Sequence, residues 1–242
     1  MKAGNMLYPL PAVLVSTRGR DGKDNLLTVA WTGTINTNPP MVYISVRKSR
    51  YSYQALHETG VFVINLTTEA LARAADFCGV RSGRDLDKFA YCGLHKEEAD
   101  QIDAALVEES PVNIECRVTE EKELGSHVMF LAEVLAVHAD SAYMDEKETF
   151  HLEEAKPIVY SHGSYFSLGK ELGRFGYSVR RKKKADPFDQ ADQKGKPKAS
   201  GKPKTSGKPK TSGKPKVSGK LKVSGKPKAG KTGKTGKRKG SK

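Results

Sequence analysis

The residues best equipped for chemistry lie between Thr28 and Ser52, in the run TVAWTGTINTNPPMVYISVRKSRYS. Arg47, Lys48, Ser49 and Arg50 follow the apolar stretch Met41–Val46 and precede a helix expected to begin at Ser52. Cations, hydroxyls and free backbone N–H groups then meet at a helix N-terminus, which is the physical recipe for holding a phosphate. Upstream, Thr32–Asn38 reads as a loop whose hydroxyls and glycine would let the backbone lie close to a planar ligand. On composition alone, a solvated basic turn beside an ordinary loop explains the same residues.

The elements that must carry this stretch are short strands. Ala12–Thr17 is an apolar run, Asp21-Gly22 a hairpin-type turn, and Asn25–Trp31 the returning strand. Met41–Val46 and Val61–Leu66 follow, the latter rich in β-branched residues. Between them Ser52–Thr59 can form a helix closed by Gly60. Leu71, Ala74, Ala75 and Cys78 share one helical face, so Thr68–Cys78 is expected to be helical. Ser82 and Asp85 have capping-box spacing for a further helix running to Tyr91. Val112–Val118 alternates as a strand, with Val112, Ile114, Cys116 and Val118 on one side and Asn113, Glu115 and Arg117 on the other. His127–His138 is a longer strand behind a turn at Leu124-Gly125-Ser126, while 97–109 reads equally as helix or loop. The expected fold is mainly β with short helices, a closed or split barrel rather than a βαβ sheet.

Charge divides the chain. Residues 194–242 hold 19 of the 42 Lys and Arg and no Asp or Glu, leaving 23 basic residues against all 28 acidic ones before them, a net charge of −5. One domain, 1–181, followed by a basic tail, 182–242, accounts for this better than two domains. In the tail a hexad close to Gly-Lys-Pro-Lys-x-Ser recurs from Gly195 to Gly225. Such a stretch has almost no apolar surface to offset chain entropy, so it is expected to be disordered. Lysines spaced along a flexible chain suit nucleic acid or another polyanion, bound by counterion release. Gly225–Thr232 matches GxxxxGK[ST] in letters, but it follows no strand and opens no helix. Gly169, Gly173 and Gly176 lack GxGxxG spacing, and the six His and three Cys show no zinc-ligand pattern. No apolar run approaches the ~20 residues of a membrane span. With an odd number of cysteines and no CxxC pair, a cytoplasmic protein is expected.

Five blocks in order, NLLTVAWTGTINTNPPMVYISVRKSRYSY, GVFVINL, DFCGVRSGRDLDKF, ELGSHVMFLAEV and KPIVYSHGSYFSLGKELGRFGYSV, resemble the flavin reductase-like family, its flavoredoxin branch most of all. The resemblance implies a split β-barrel homodimer with one FMN per subunit near the interface. It sets Thr28, Ala30, Trp31, Thr32 and Thr34 along the ring and ribityl chain, and Ser45, Arg47, Lys48, Ser49, Arg50 and Ser52 around the phosphate. Asn65 and the loop 78–83, with Cys78 and Ser82, would close over the flavin edge. The implied activity is an oxidoreductase that takes hydride from NADH or NADPH and passes electrons to a flavin, a metal complex or a protein. The flavin carries the hydride chemistry, so no side-chain nucleophile or acid–base dyad is needed. His162, and second to it His127, could seat a nicotinamide donor or be a structural histidine. Cys78 could be a reactive thiol or an inert buried one. An electron carrier with no nicotinamide site, and a nucleic-acid-binding protein with the barrel as scaffold, are the alternatives.

Overall fold

Short β-branched runs punctuated by Gly, Pro and Asn give, among the described residues, a chain of strands with three α-helices inserted. The computed structural model describes residues 2–180. The expected basic tail, its disorder and the Gly225–Thr232 match lie outside the described residues. In chain order come β1 (Leu10–Pro11), β2 (Val13–Arg18), β3 (Asp24–Val29), β4 (Thr32–Asn36), β5 (Met41–Val46), α1 (Tyr51–Thr59) and β6 (Val61–Asn65). Then follow α2 (Ala72–Val80), α3 (Lys88–Cys92), β7 (Lys96–Glu98), β8 (Ala105–Val107), β9 (Val112–Glu123), β10 (Val128–Ala139), β11 (Ile158–Ser161) and β12 (Ser164–Ser167). A seven-stranded antiparallel sheet, ordered β3-β2-β6-β9-β10-β5-β4, curls into the split barrel expected from sequence. Strands β1, β11 and β12 form a small second sheet, and β7 and β8 a ribbon.

The barrel interior is filled by alternate residues: Val13 and Val15 of β2, Leu27 and Val29 of β3, Ile44 of β5, Phe62 of β6 and Phe130 of β10. Leu14 and Leu26, on the opposite faces of β2 and β3, pack with Cys78 of α2 and Phe89 of α3 in a second core. Covering both faces is why β2 reads as an unbroken apolar run. The two outer helices are thereby pinned against β3, and the loop between them is held beside the start of α1.

Several expectations change. Thr32–Asn38 is not a loop: Thr32–Asn36 is edge strand β4, in register with β5 through Thr32↔Ile44, Gly33↔Tyr43 and Thr34↔Val42. Gly33 makes room for a neighbour, since a Cβ there would sit 3.1 Å from the Tyr43 ring. Helix α2 starts at Ala72 rather than Thr68, because Thr68 bridges Pro157 and the Glu69 N–H donates to Lys156 O (3.0 Å). The Ser82–Asp85 capping box does not form. Asp87 caps α3, accepting from the Ala90 N–H (3.2 Å), while Ser82 Oγ accepts from the Arg84 N–H (3.2 Å) in a turn ahead of it. On the polar side of β9, Asn113 and Glu115 are buried, because the chain at 100–106 covers that side.

Candidate functional site

Strand β5 delivers Ser45 to one side of the barrel mouth and runs directly into the turn Arg47–Arg50 (Arg50 N–H to Arg47 O, 3.0 Å) that starts α1. No side chain caps α1: Arg50 occupies the cap position, and its guanidinium instead donates to Gly79 O at the end of α2 (2.9 Å). The first turn of α1 borders a small cavity of about 100 Å³ lined by Ser49, Arg50, Ser52, Ser82 and Lys88, among others. Asn25 fixes this wall by donating from Nδ2 to Ser52 Oγ (2.7 Å). Gly83 is required in the facing loop, because a Cβ there would lie 2.0 Å from Asn25 Oδ1.

Lys88 is the least expected member. Its side chain is buried, and Nζ donates to two neutral acceptors, Leu26 O (2.7 Å) and Cys78 O (2.8 Å), with no carboxylate partner among the described residues. Burial, joined by the nearby Arg50 charge, lowers its pKa. A buried ammonium compensated only by carbonyls, opening on a cavity rich in donors, is arranged for an anion.

Leu27, Arg50 and Val80 line this cradle and also a larger cavity of about 870 Å³, so the two adjoin. That volume lies within the usual range of small-molecule sites. Its walls are the β3–β4 connection Thr28–Trp31, Ser45–Arg47, the α2 positions Asp76 and Gly79, His127 with Leu124 and Ser126, and Tyr160 and Tyr165 of the small sheet. The Trp31 and His127 rings stack at 6.1 Å with planes 13° apart. Burial, then Arg47 and Arg50, push the His127 pKa down, so its ring faces the cavity neutral at pH 7. Thr28 donates its hydroxyl to Ala75 O, and Gly79 admits this contact, since a Cβ would sit 3.3 Å from Thr28 Cβ. An aromatic-sided space thus lies beside a cationic cradle at a helix N-terminus.

The model of the flavin reductase-like domain matches residues 5–169. The chain belongs to the flavin reductase-like family. Among solved structures it is similar to the flavoredoxin of Desulfovibrio vulgaris (Miyazaki F), with 30% identity, a TM-score of 0.69, and 74% of this chain and 100% of that one covered. It is also similar to a flavoredoxin from Methanosarcina acetivorans, with 27% identity, a TM-score of 0.67, and 74% and 98% covered. An uncharacterised protein of Archaeoglobus fulgidus is 30% identical over 166 residues, 69% of this chain and 88% of that protein.

Of the residues expected from sequence, this flavin reductase-like barrel brings Thr28, Ala30, Trp31, Ser45, Arg47 and Arg50 to the larger cavity. Ser49, Ser52 and Ser82 line the cradle with Arg50. The others lie elsewhere. Thr32 Oγ1 donates to Tyr43 O (2.7 Å), and Thr34 sits on the exposed edge strand. Lys48 pairs with Glu123 at the surface. Asn65 is buried and spent inside the fold, donating to Leu14 O (2.9 Å) and Ser16 Oγ (3.0 Å) and accepting from the Val107 N–H (3.0 Å) and Asn113 Nδ2 (2.7 Å). The Cys78 thiol is buried, which pushes its pKa up to about 12 and leaves it inert. His162 is an exposed residue of the β11–β12 hairpin turn, where it and Gly163 both have positive φ (48° and 89°). Lys88, Asn25, Asp76, Tyr160 and Tyr165 were not singled out from sequence. For Lys88 a signal existed: it lies four residues before Cys92, on the same face of a short helix whose neighbour Phe89 is apolar.

Proposed function

We propose that this chain holds FMN and works as a flavin oxidoreductase, reduced by NADH or NADPH and passing electrons to a flavin, a metal complex or a protein acceptor. The observation that carries this reading is that Arg50 borders both the uncapped α1 N-terminus and the aromatic-sided cavity. The donor set fits a phosphomonoester: Ser49, Ser52 and Ser82 offer hydroxyls, Arg50 and Lys88 offer charge, and α1 offers backbone N–H groups. A cradle of about 100 Å³ suits the end of a mononucleotide. Trp31 and His127 would flank the ring system, and the backbone at Thr28–Trp31 would follow its edge. FMN supplies the hydride-accepting chemistry when bound; the protein positions it, neutralises its phosphate and shields the ring. Neutral His127 can donate a hydrogen bond to the ring edge without adding a charge.

The test is anaerobic. Purified protein should be yellow, or become so with FMN, and should bleach when titrated with NADH or NADPH. Colour that neither nucleotide bleaches favours an electron carrier. Protein that cannot take up FMN defeats the proposal and leaves the barrel as a scaffold.

A homodimer belongs to the same proposal. Leu172 is 90% exposed and Phe175 fully so on the single chain, and a second subunit is the natural cover for such an arm. The 19 basic residues of 194–242, unopposed by any acid, support a second binding activity toward nucleic acid or another polyanion. Deleting 182–242 should abolish retention on DNA at low salt and leave flavin content unchanged, and retention by the truncated chain would refute that role. Among the described residues no helix is long and apolar enough to cross a membrane.

A further inference from the structure

The cradle at the start of α1 has a second neighbour. It adjoins a further cavity of about 480 Å³, and Tyr51, Gly83 and Arg84 line both. Tyr51 is the first residue of α1 and is half-buried. Two contacts hold its ring. Gly83 packs against it so closely that a Cβ there would lie 2.7 Å from Tyr51 Cδ1. The Arg84 guanidinium carbon lies 5.5 Å from the ring centroid, within cation–π range. The loop that supplies both contacts is a closed turn, in which the Asp85 N–H donates to Ser82 O (3.2 Å) and the Arg84 N–H to Ser82 Oγ (3.2 Å). Arg84 enters no ion pair among the described residues, so its charge is free to act on what the cradle holds. A braced aromatic ring thus stands at the border of the cradle and the cavity next to it.

We propose that Tyr51 is the specificity-determining residue of the site, its ring closing the cradle against a flavin whose phosphate carries a further nucleotide. The inference rests on the flavin oxidoreductase reading above and names what limits its ligand. A mononucleotide ends in a phosphomonoester, which carries a charge of about −1.5 to −2 at pH 7. Arg50, Lys88 and Arg84 line the cradle and answer that charge. In a dinucleotide the same phosphate is a linkage. It keeps one negative charge and bears a second phosphate and a nucleoside, which need room like that of the neighbouring cavity, across the Tyr51 ring. Discrimination therefore has an attractive part, the cations, and a repulsive part, the ring. The cations serve any phosphate; only the larger ligand meets the ring. Beyond it, Lys23, Arg84 and Lys96 offer charge to a second phosphate, while of the carboxylates there Asp24 is paired with Arg18 and Asp87 caps α3. A dinucleotide admitted past Tyr51 would consequently be held.

The experiment is calorimetric titration of the full chain, freed of bound flavin, with FMN and with the dinucleotide FAD. Wild type should bind FMN about 30-fold more tightly than FAD. Tyr51→Ala should bind FAD about tenfold more tightly than wild type does, a gain that damage to the fold cannot produce. Tyr51→Phe, which keeps the ring, should keep the wild-type ratio. Tyr51→Val removes the ring with less loss of packing and reads the same gain if the alanine variant does not fold. Equal affinities in wild type, or FAD binding that loss of the ring leaves unchanged or weaker, overturn the role of Tyr51 while the flavin reading stands. A chain that takes up neither flavin overturns both.

Discussion

Among the described residues Glu115 and Lys88 are the buried charged ones, and they are buried differently. Glu115, in the middle of β9, is wholly enclosed, and its own chain meets it: Oε1 accepts from the Asp100 N–H (2.8 Å) and His138 Nε2 (2.6 Å), and Oε2 from the Gln101 N–H (2.8 Å). Burial alone would push its pKa up, but His138 and the two backbone donors outweigh that and hold it below the usual glutamate value. Lys88 is almost as enclosed, yet it finds only two carbonyls and a cavity. Burial wins there, and the ammonium is left less stable than in water. A buried charge satisfied by its own chain is a structural tie; one left short beside a cavity is waiting for a ligand. The contrast predicts that Glu115 serves stability and Lys88 serves binding.

The largest effect that could break this contrast is on the structural side. Glu115→Ala should cost about 3 to 5 kcal/mol, the range for removing one partner of a buried pair, and should free the loop at Asp100 and Gln101 to exchange its amide hydrogens. Flavin content per folded molecule should not change. Denaturant unfolding that moves by less than about 1 kcal/mol would show that Glu115 is no better satisfied than Lys88. Lys88→Met should do the reverse. The apoprotein should be as stable as wild type or slightly more so, because an apolar side chain replaces an under-compensated charge. FMN affinity should fall about 30-fold, from losing roughly 2 kcal/mol of charge-assisted hydrogen bonding. An apoprotein clearly destabilised, with affinity intact, would make Lys88 a structural residue.

The same contrast explains what could be read from the sequence. The strands around the barrel mouth announce themselves by apolar runs and turn residues, and the Arg47–Arg50 turn is local, so its juxtaposition with the start of α1 is almost guaranteed by chain connectivity. Glu115 misleads because alternation says only that a residue faces away from its neighbours; what covers that face is the distant segment 100–106, which no periodicity reveals. Lys88 gives only a faint signal for a related reason. Lysines are normally exposed, and this one is enclosed only because α3 lies against β3 and α2. Thr32 and Thr34 look like ligand-binding hydroxyls until β4 pairs with β5 and places them along a sheet edge.

A smaller effect sharpens the comparison through pH. Glu115 titrates lower in the folded chain than its ordinary value of 4.5, so its stabilisation is fully present above about that pH and is lost as pH falls through the depressed folded value. The Nε2–H of His138 donates to the carboxylate, which as an anion can only accept. Removing it by His138→Ala leaves both backbone donors in place and should cost about 1 kcal/mol at pH 7, well below the loss from Glu115→Ala. With less to depress it, the Glu115 pKa should rise toward its unfolded value, and the gap between variant and wild type should narrow as pH drops toward 3. Denaturant unfolding of both proteins at pH 7, 5 and 3 measures this directly. A gap that stays constant across the series would mean that His138 packs beside Glu115 without supporting its charge, and that the two backbone N–H groups alone hold the carboxylate ionised.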